Sequence, residues 1–125
     1  MALTSAGASV IAAALTGNAF PTYSNANSRI GVGDSAAAFA AGQTDLLGAD
    51  KFRKGMEAAY PTLAGAVMTF RSLFAPSEAV FVWNEWGIFN AASGPTMLSR
   101  KVESLGTKPG TQSWQLTVEL TVGAA

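Results

Sequence analysis

The run "VFVWNEWGIF", residues 80–89, is largely apolar on both of its sides. Side chains alternate across an extended chain, so Phe81, Trp83, Glu85, Gly87 and Phe89 share one side. Val80, Val82, Asn84, Trp86 and Ile88 share the other. A strand with one face in water would show polar residues at every second position, and this one does not. It is therefore expected at the centre of a sheet, covered on two sides or lying in a subunit contact. A chain of 125 residues has room for one such core, so a single domain over residues 1–125 is expected.

The remaining pattern builds a sheet around that strand. "AVMTFRSLF" reads as a strand before it, and "TMLSRKVES" as its return partner beyond the turn "NAASGP". "WQLTVELTV" alternates cleanly, with Trp114, Leu116, Val118, Leu120 and Val122 on one side and Gln115, Thr117, Glu119 and Thr121 on the other. "RIGVGDS" is a brief strand candidate followed by the loop "AAAFAAGQTDLLGAD". "KFRKGMEAAY" supports helical or extended spacing and is read as a strand ended by Pro61, with "PTLAG" as a turn and "LGTKPGTQS" as a loop. At the N-terminus, Thr4 or Ser5 can cap a short helix whose narrow apolar face is Val10, Ile11, Ala14 and Leu15, with Gly17 at its end. The expected fold is mainly β (α+β): a small antiparallel β-sandwich or barrel-like sheet with an N-terminal helix packed on it.

Composition removes several function classes. Without cysteine or histidine there are no disulfides, thiolate nucleophiles, ordinary zinc sites or histidine acid–base pairs. Eight Lys plus Arg balance eight Asp plus Glu, which gives no phosphate-binding footprint, so direct nucleic-acid binding is not expected. Only 13% of residues are charged, a low density that suits surface destined for protein partners. No run approaches a membrane span, and no Lys or Arg precedes Arg29 as a signal peptide would require. A product made in a cytoplasm and left uncleaved is expected.

Glu85, set among Phe81, Trp83, Trp86 and Phe89, is the main candidate for chemistry. A carboxylate in such surroundings is either a general acid of raised pKa or a structural anchor. Catalysis of glycosidase type needs a second carboxylate, and nothing selects one among Glu57, Glu78, Glu103 and Glu119. The anchor reading needs a cation, and Arg71 and Arg100, on strands predicted to flank this one, can supply bidentate pairing. The anchor is favoured, with Trp83, Trp86, Phe89 and Trp114 as core or subunit contact. A Ser99–Lys101 pair is unselected by spacing. "GVGDSA" fits G-x-G-x-x-A, but the chain offers no βαβ unit; the segment reads as a turn of Gly31, Gly33 and Asp34, with Asp34 bonding its own backbone. Asp34, Asp45 and Asp50 match no calcium-loop spacing. No catalytic, cofactor or metal residue is assigned.

The order "LTSAGASVIAAALTG", "IGVGDS", "QTDL", "NEWGIFNAASGPTMLSRKV" and a closing alternating strand resembles the N-terminal domain of bacteriophage tail-collar fibre proteins. In that family a T-x-x-G-A-type helix leads to a glycine–aspartate turn and then to an E-x-G-[IL]-[FY] strand. Here Gly31, Gly33 and Asp34 occupy the turn, and Glu85, Gly87, Ile88 and Phe89 the strand. The resemblance implies a non-enzymatic virion protein that attaches a fibre to the tail baseplate, with other virion proteins as partners and a trimer as the first expected oligomer. The family's members continue into a shaft and receptor-binding tip. No such segment is visible here, so a stand-alone virion subunit is expected. A decoration protein on the capsid is the alternative, and a small carboxylate-dependent hydrolase the second.

Overall fold

The computed structural model describes residues 3–122. One helix, α1 (Ser5–Thr16), precedes seven strands: β1 (Arg29–Gly33), β2 (Lys51–Gly55), β3 (Thr62–Ala64), β4 (Val67–Phe74), β5 (Val82–Phe89), β6 (Met97–Thr107) and β7 (Trp114–Thr121). They form two antiparallel sheets, ordered β2-β1-β5-β6 and β3-β4-β7. The fold is mainly β, a sandwich of two separate sheets with an N-terminal helix, as the alternation predicts.

Strand β5 lies between β1 and β6, at the centre of its sheet. One face of that sheet packs on the second sheet. Ile30 and Val32 of β1 and Trp86 and Ile88 of β5 meet Phe70 and Phe74 of β4 and Val118 and Leu120 of β7. Burying each of these large side chains contributes about 1.5–3 kcal/mol. Edge-to-face contacts link Phe52, Phe74, Trp83 and Trp114 in a row, with centroids 6.2, 4.8 and 5.1 Å apart. Strict alternation predicts Trp83 and Trp86 on opposite sides, yet both belong to this core. The pairing of β5 with β6 is irregular between Trp83 and Glu85, and Trp83 turns in there towards Phe74 and Trp114.

Helix α1 starts where the sequence places it. Thr4 caps it by accepting from the Gly7 N–H at 2.8 Å, and Gly17 closes it in the left-handed region at φ 75°. The helix rests on β6 through its first turns alone. The Thr4 N–H donates to the Leu98 carbonyl at 3.1 Å, and a Cβ on Gly7 would strike that same carbonyl. Of the expected apolar face, Val10 and Ile11 are half-buried, whereas Ala14 and Leu15 are exposed, Leu15 at 83%.

Four boundaries differ from expectation. Strand β5 begins at Val82 rather than at Val80, after Ala79 takes a left-handed φ of 51° and leaves Val80 exposed. "PTLAG" contains strand β3 and turns only at Gly65, whose φ is 59°. The strand in "KFRKGMEAAY" ends at Gly55, because residues 57–60 form a turn in which the Tyr60 N–H donates to the Glu57 carbonyl at 3.2 Å. Strand β6 runs on to Thr107 rather than stopping before the "LGTKPGTQS" loop, with Thr107 opposite Val82 and Gly106 opposite Trp83.

Candidate functional site

The outer face of the four-stranded sheet carries the polar centre of the molecule. Glu85 projects from β5, directly opposite Gly33 of β1 and Val102 of β6. Its carboxylate is fully buried and accepts four hydrogen bonds. Oε1 takes Arg100 Nε at 2.8 Å and the Leu47 N–H at 2.9 Å. Oε2 takes the Gly48 N–H at 2.7 Å and the Ser35 N–H at 3.2 Å. Arg100 is also wholly buried, and its remaining reach goes to the Gln43 side-chain oxygen at 3.1 Å and the Ala37 carbonyl at 3.0 Å. Together the pair holds residues 35, 37, 43, 47 and 48, so it pins both ends and the middle of the connection between β1 and β2.

That connection is the second cover which the apolar run 80–89 requires. Leu46 reaches down from it to a small buried cluster with Phe89 and Met97, and Arg53 of β2 lies over the Phe89 ring at 5.3 Å. The connection adds no strand of its own, so its backbone polar groups must be met individually. Glu85 and Arg100 do much of this, which explains a buried ion pair whose desolvation alone would be costly.

The glycines of "GVG" make the geometry possible. They lie within β1, as the strand candidate "RIGVGDS" placed them, and not in the turn that the reading of Gly31, Gly33 and Asp34 expected. Gly33 lies beneath the Glu85 side chain, and a Cβ there would overlap the carboxylate. A Cβ on Gly31 would stand 2.5 Å from Phe89 Cε1, and one on Gly87 would stand 3.3 Å from Leu46. The spacing that mimics a dinucleotide fingerprint is a strand kept bare on one side so that a carboxylate and a loop can lie close. Asp34 follows the strand. Rather than bonding its own turn, its Oδ1 accepts from the Asp50 N–H at 3.2 Å, and its N–H donates to the Asp50 carbonyl at 3.1 Å.

Of the two candidate cations, the structure brings only Arg100 to Glu85. Arg71 is in β4, in the other sheet, where it stacks on the Tyr60 ring at 4.5 Å and donates to Thr117 Oγ1 at 3.1 Å. Both arginines lie on strands close to β5 in sequence, but division of the chain into two sheets puts one of them out of reach. Trp83 and Trp86 are in the inter-sheet core, Phe89 is beneath the loop, and Trp114 packs on Trp83 at one end of the sandwich.

The other acids are engaged elsewhere. Glu57 accepts from Gln115 at 2.8 Å, Glu78 pairs with Lys54 at 2.9 Å and Glu103 with Lys101 at 2.9 Å. Glu119 is exposed on the outer face of the second sheet. Ser99 is buried while Lys101 is turned out to Glu103, so they form no nucleophile–base pair. Asp45 pairs with Lys51 at 3.0 Å, and among the described residues no three acids group as metal ligands.

A second anchor escaped sequence reasoning. Lys108 is fully buried, and its ammonium donates to the carbonyls of Ala75 at 2.9 Å and Pro76 at 3.0 Å. It ties the β6–β7 connection to the turn between β4 and β5. On that same turn Glu78 accepts from Lys54 and from the Ala75 N–H, and these bonds hold its carboxyl below the usual carboxylate range. The "KPG" context pointed only to a loop.

Comparison with protein-family models, with curated proteins and with solved structures finds no match. No helix among the described residues is long and apolar enough to cross a membrane.

Proposed function

We propose that this chain is a non-enzymatic structural subunit of a bacteriophage virion, of the kind that attaches a fibre to the tail or baseplate. The observation that carries the reading is the state of Glu85. The one carboxylate with an enzyme-like setting is enclosed, fully hydrogen-bonded, and spent on holding a loop to a sheet. A general acid needs a cleft and a free position beside the substrate, and this group offers neither. The ordered motifs from the N-terminal helix to "NEWGIFNAASG" supply the virion half of the reading, by resemblance to tail-collar fibre proteins.

The low charge and the half-exposed apolar helix suit a protein that works at high local concentration against other virion proteins, as a symmetric homo-oligomer. Its place would be the particle, after synthesis in the host cytoplasm. The test is electron microscopy of assembled particles with a tagged chain. Density at the tail or baseplate is expected. Density on the head shell would replace this role with capsid decoration, and absence from the particle would overturn the virion reading.

A further inference from the structure

Among the described residues, four strands of the sandwich have a free edge, and three are guarded. Strand β2 carries Lys51, Arg53 and Lys54, β3 is three residues long, and β6 is irregular in register and partly covered by Leu3, which bridges to Ser99, and by the start of α1. Charges, shortness and bulges are the usual means of stopping a sheet edge from pairing with another chain. Strand β7 has none of them. It pairs with β4 in unbroken register over eight residues, contains no proline or bulge, and carries a single charge, Glu119.

The residues beside that edge are self-complementary. An antiparallel pair made about a two-fold axis normal to the sheet must be centred on a residue, so that both cores stay on one side. Centred on Val118, it sets Leu116 against Leu120, Gln115 against Thr121, and Thr117 against Glu119. Like charges do not meet. Arg71 already points across its sheet towards this edge, with Nε on Thr117 Oγ1 at 3.1 Å. Strands lie about 4.8 Å apart, so the second copy's Glu119, just beyond Thr117, comes within reach of the Arg71 guanidinium. Among the described residues neither Arg71 nor Glu119 makes an ion pair within its own chain.

We propose that two copies of this chain join β7 to β7, antiparallel about Val118, to form a continuous six-stranded sheet closed by two Arg71–Glu119 pairs. This contact is independent of the virion reading and makes the basic unit two-fold rather than the trimer that the fibre resemblance implies.

Sedimentation equilibrium of the full chain across micromolar concentrations tests it. The parent chain is expected to sediment as a dimer. Arg71→Glu alone and Glu119→Arg alone each create two like-charge contacts and weaken dimerisation by about tenfold or more. The two substitutions together restore the pairs with sign reversed and bring the dimer back. Both side chains lie on the outer face of the sheet, so circular dichroism is expected to show the parent fold in every variant. A monomeric or trimeric parent chain, or a double variant that dimerises no better than the singles, would overturn the proposal.

Discussion

Replacing Glu85 by Gln preserves shape and removes charge, which makes it the most informative change to this protein. The carboxylate receives two donors on each oxygen: Arg100 Nε and the Leu47 N–H on one, the Gly48 and Ser35 N–H groups on the other. An amide presents one acceptor and one donor. Whichever way it is turned, its NH2 faces two N–H groups, and the buried Arg100 loses its counter-charge. Breaking a buried ion pair from one side typically costs about 3–5 kcal/mol. Total stability for a domain of this kind is about 5–15 kcal/mol, so the variant is left marginal. At about 3–6 °C per kcal/mol, interpolated for this length, the midpoint falls by roughly 9–30 °C. Urea and thermal unfolding followed by tryptophan fluorescence read this directly, since Trp83 and Trp86 belong to the buried core. The double replacement Glu85→Leu with Arg100→Met sharpens the reasoning. It removes the orphaned charge but leaves the Ser35, Leu47 and Gly48 N–H groups without acceptors, at about 1–3 kcal/mol for each that stays buried. Recovery is therefore expected to be partial. An E85Q midpoint within 2 °C of the parent would refute the anchor, where 2 °C is about half the effect of 1 kcal/mol.

Other consequences are smaller but equally specific. Gly33→Ala pushes a methyl group into the Glu85 carboxylate and is expected to lower stability by about 1–3 kcal/mol in urea unfolding. Gly7→Ala is expected to lift α1 from the Leu98 carbonyl, so that limited proteolysis cuts ahead of Arg29 while the sandwich keeps its fluorescence midpoint within about 1 kcal/mol. Because the folded-state pKa of Glu78 is lowered, its contribution is present above the unfolded value of about 4.5 and is lost as pH falls through the folded one; Lys54→Met is expected to flatten that acid limb. Tyr23 behaves oppositely. Burial raises its phenol, so stability falls as pH climbs above the unfolded value of about 10, and Tyr23→Phe is expected to reduce that loss.

How far the sequence could be read follows from what side chains encode. The apolar run 80–89 announced a strand covered on both sides, and β7 announced its faces by strict alternation; both are side-chain patterns, and both appear in the structure. What covers the second side of β5 was not legible. The cover is the irregular connection after Asp34, and all three groups that bind it directly to Glu85 are backbone N–H donors, which any residue but proline supplies. The choice between Arg71 and Arg100 was closed to inspection for a related reason. Parity tells which way a side chain points along a strand, but not which sheet the strand joins. Glycine was misread most plainly. Gly31 and Gly33 signalled a turn because glycine often serves there, whereas here the absent Cβ makes space for Glu85 and the loop.

The central claim is that the aromatic-flanked carboxylate exists to seal the loop after β1 onto the sheet. Hydrogen exchange of the native protein, resolved at the Ser35, Leu47 and Gly48 amides, tests it most directly. A loop held at Glu85 opens only with the sheet beneath it, so these three amides are predicted to exchange as slowly as core amides such as those of Ile88 and Val118. Exchange at the rate of the exposed Gly42 amide would contradict the account, because the loop would then open without the sheet and Glu85 would be free to meet solvent and substrate.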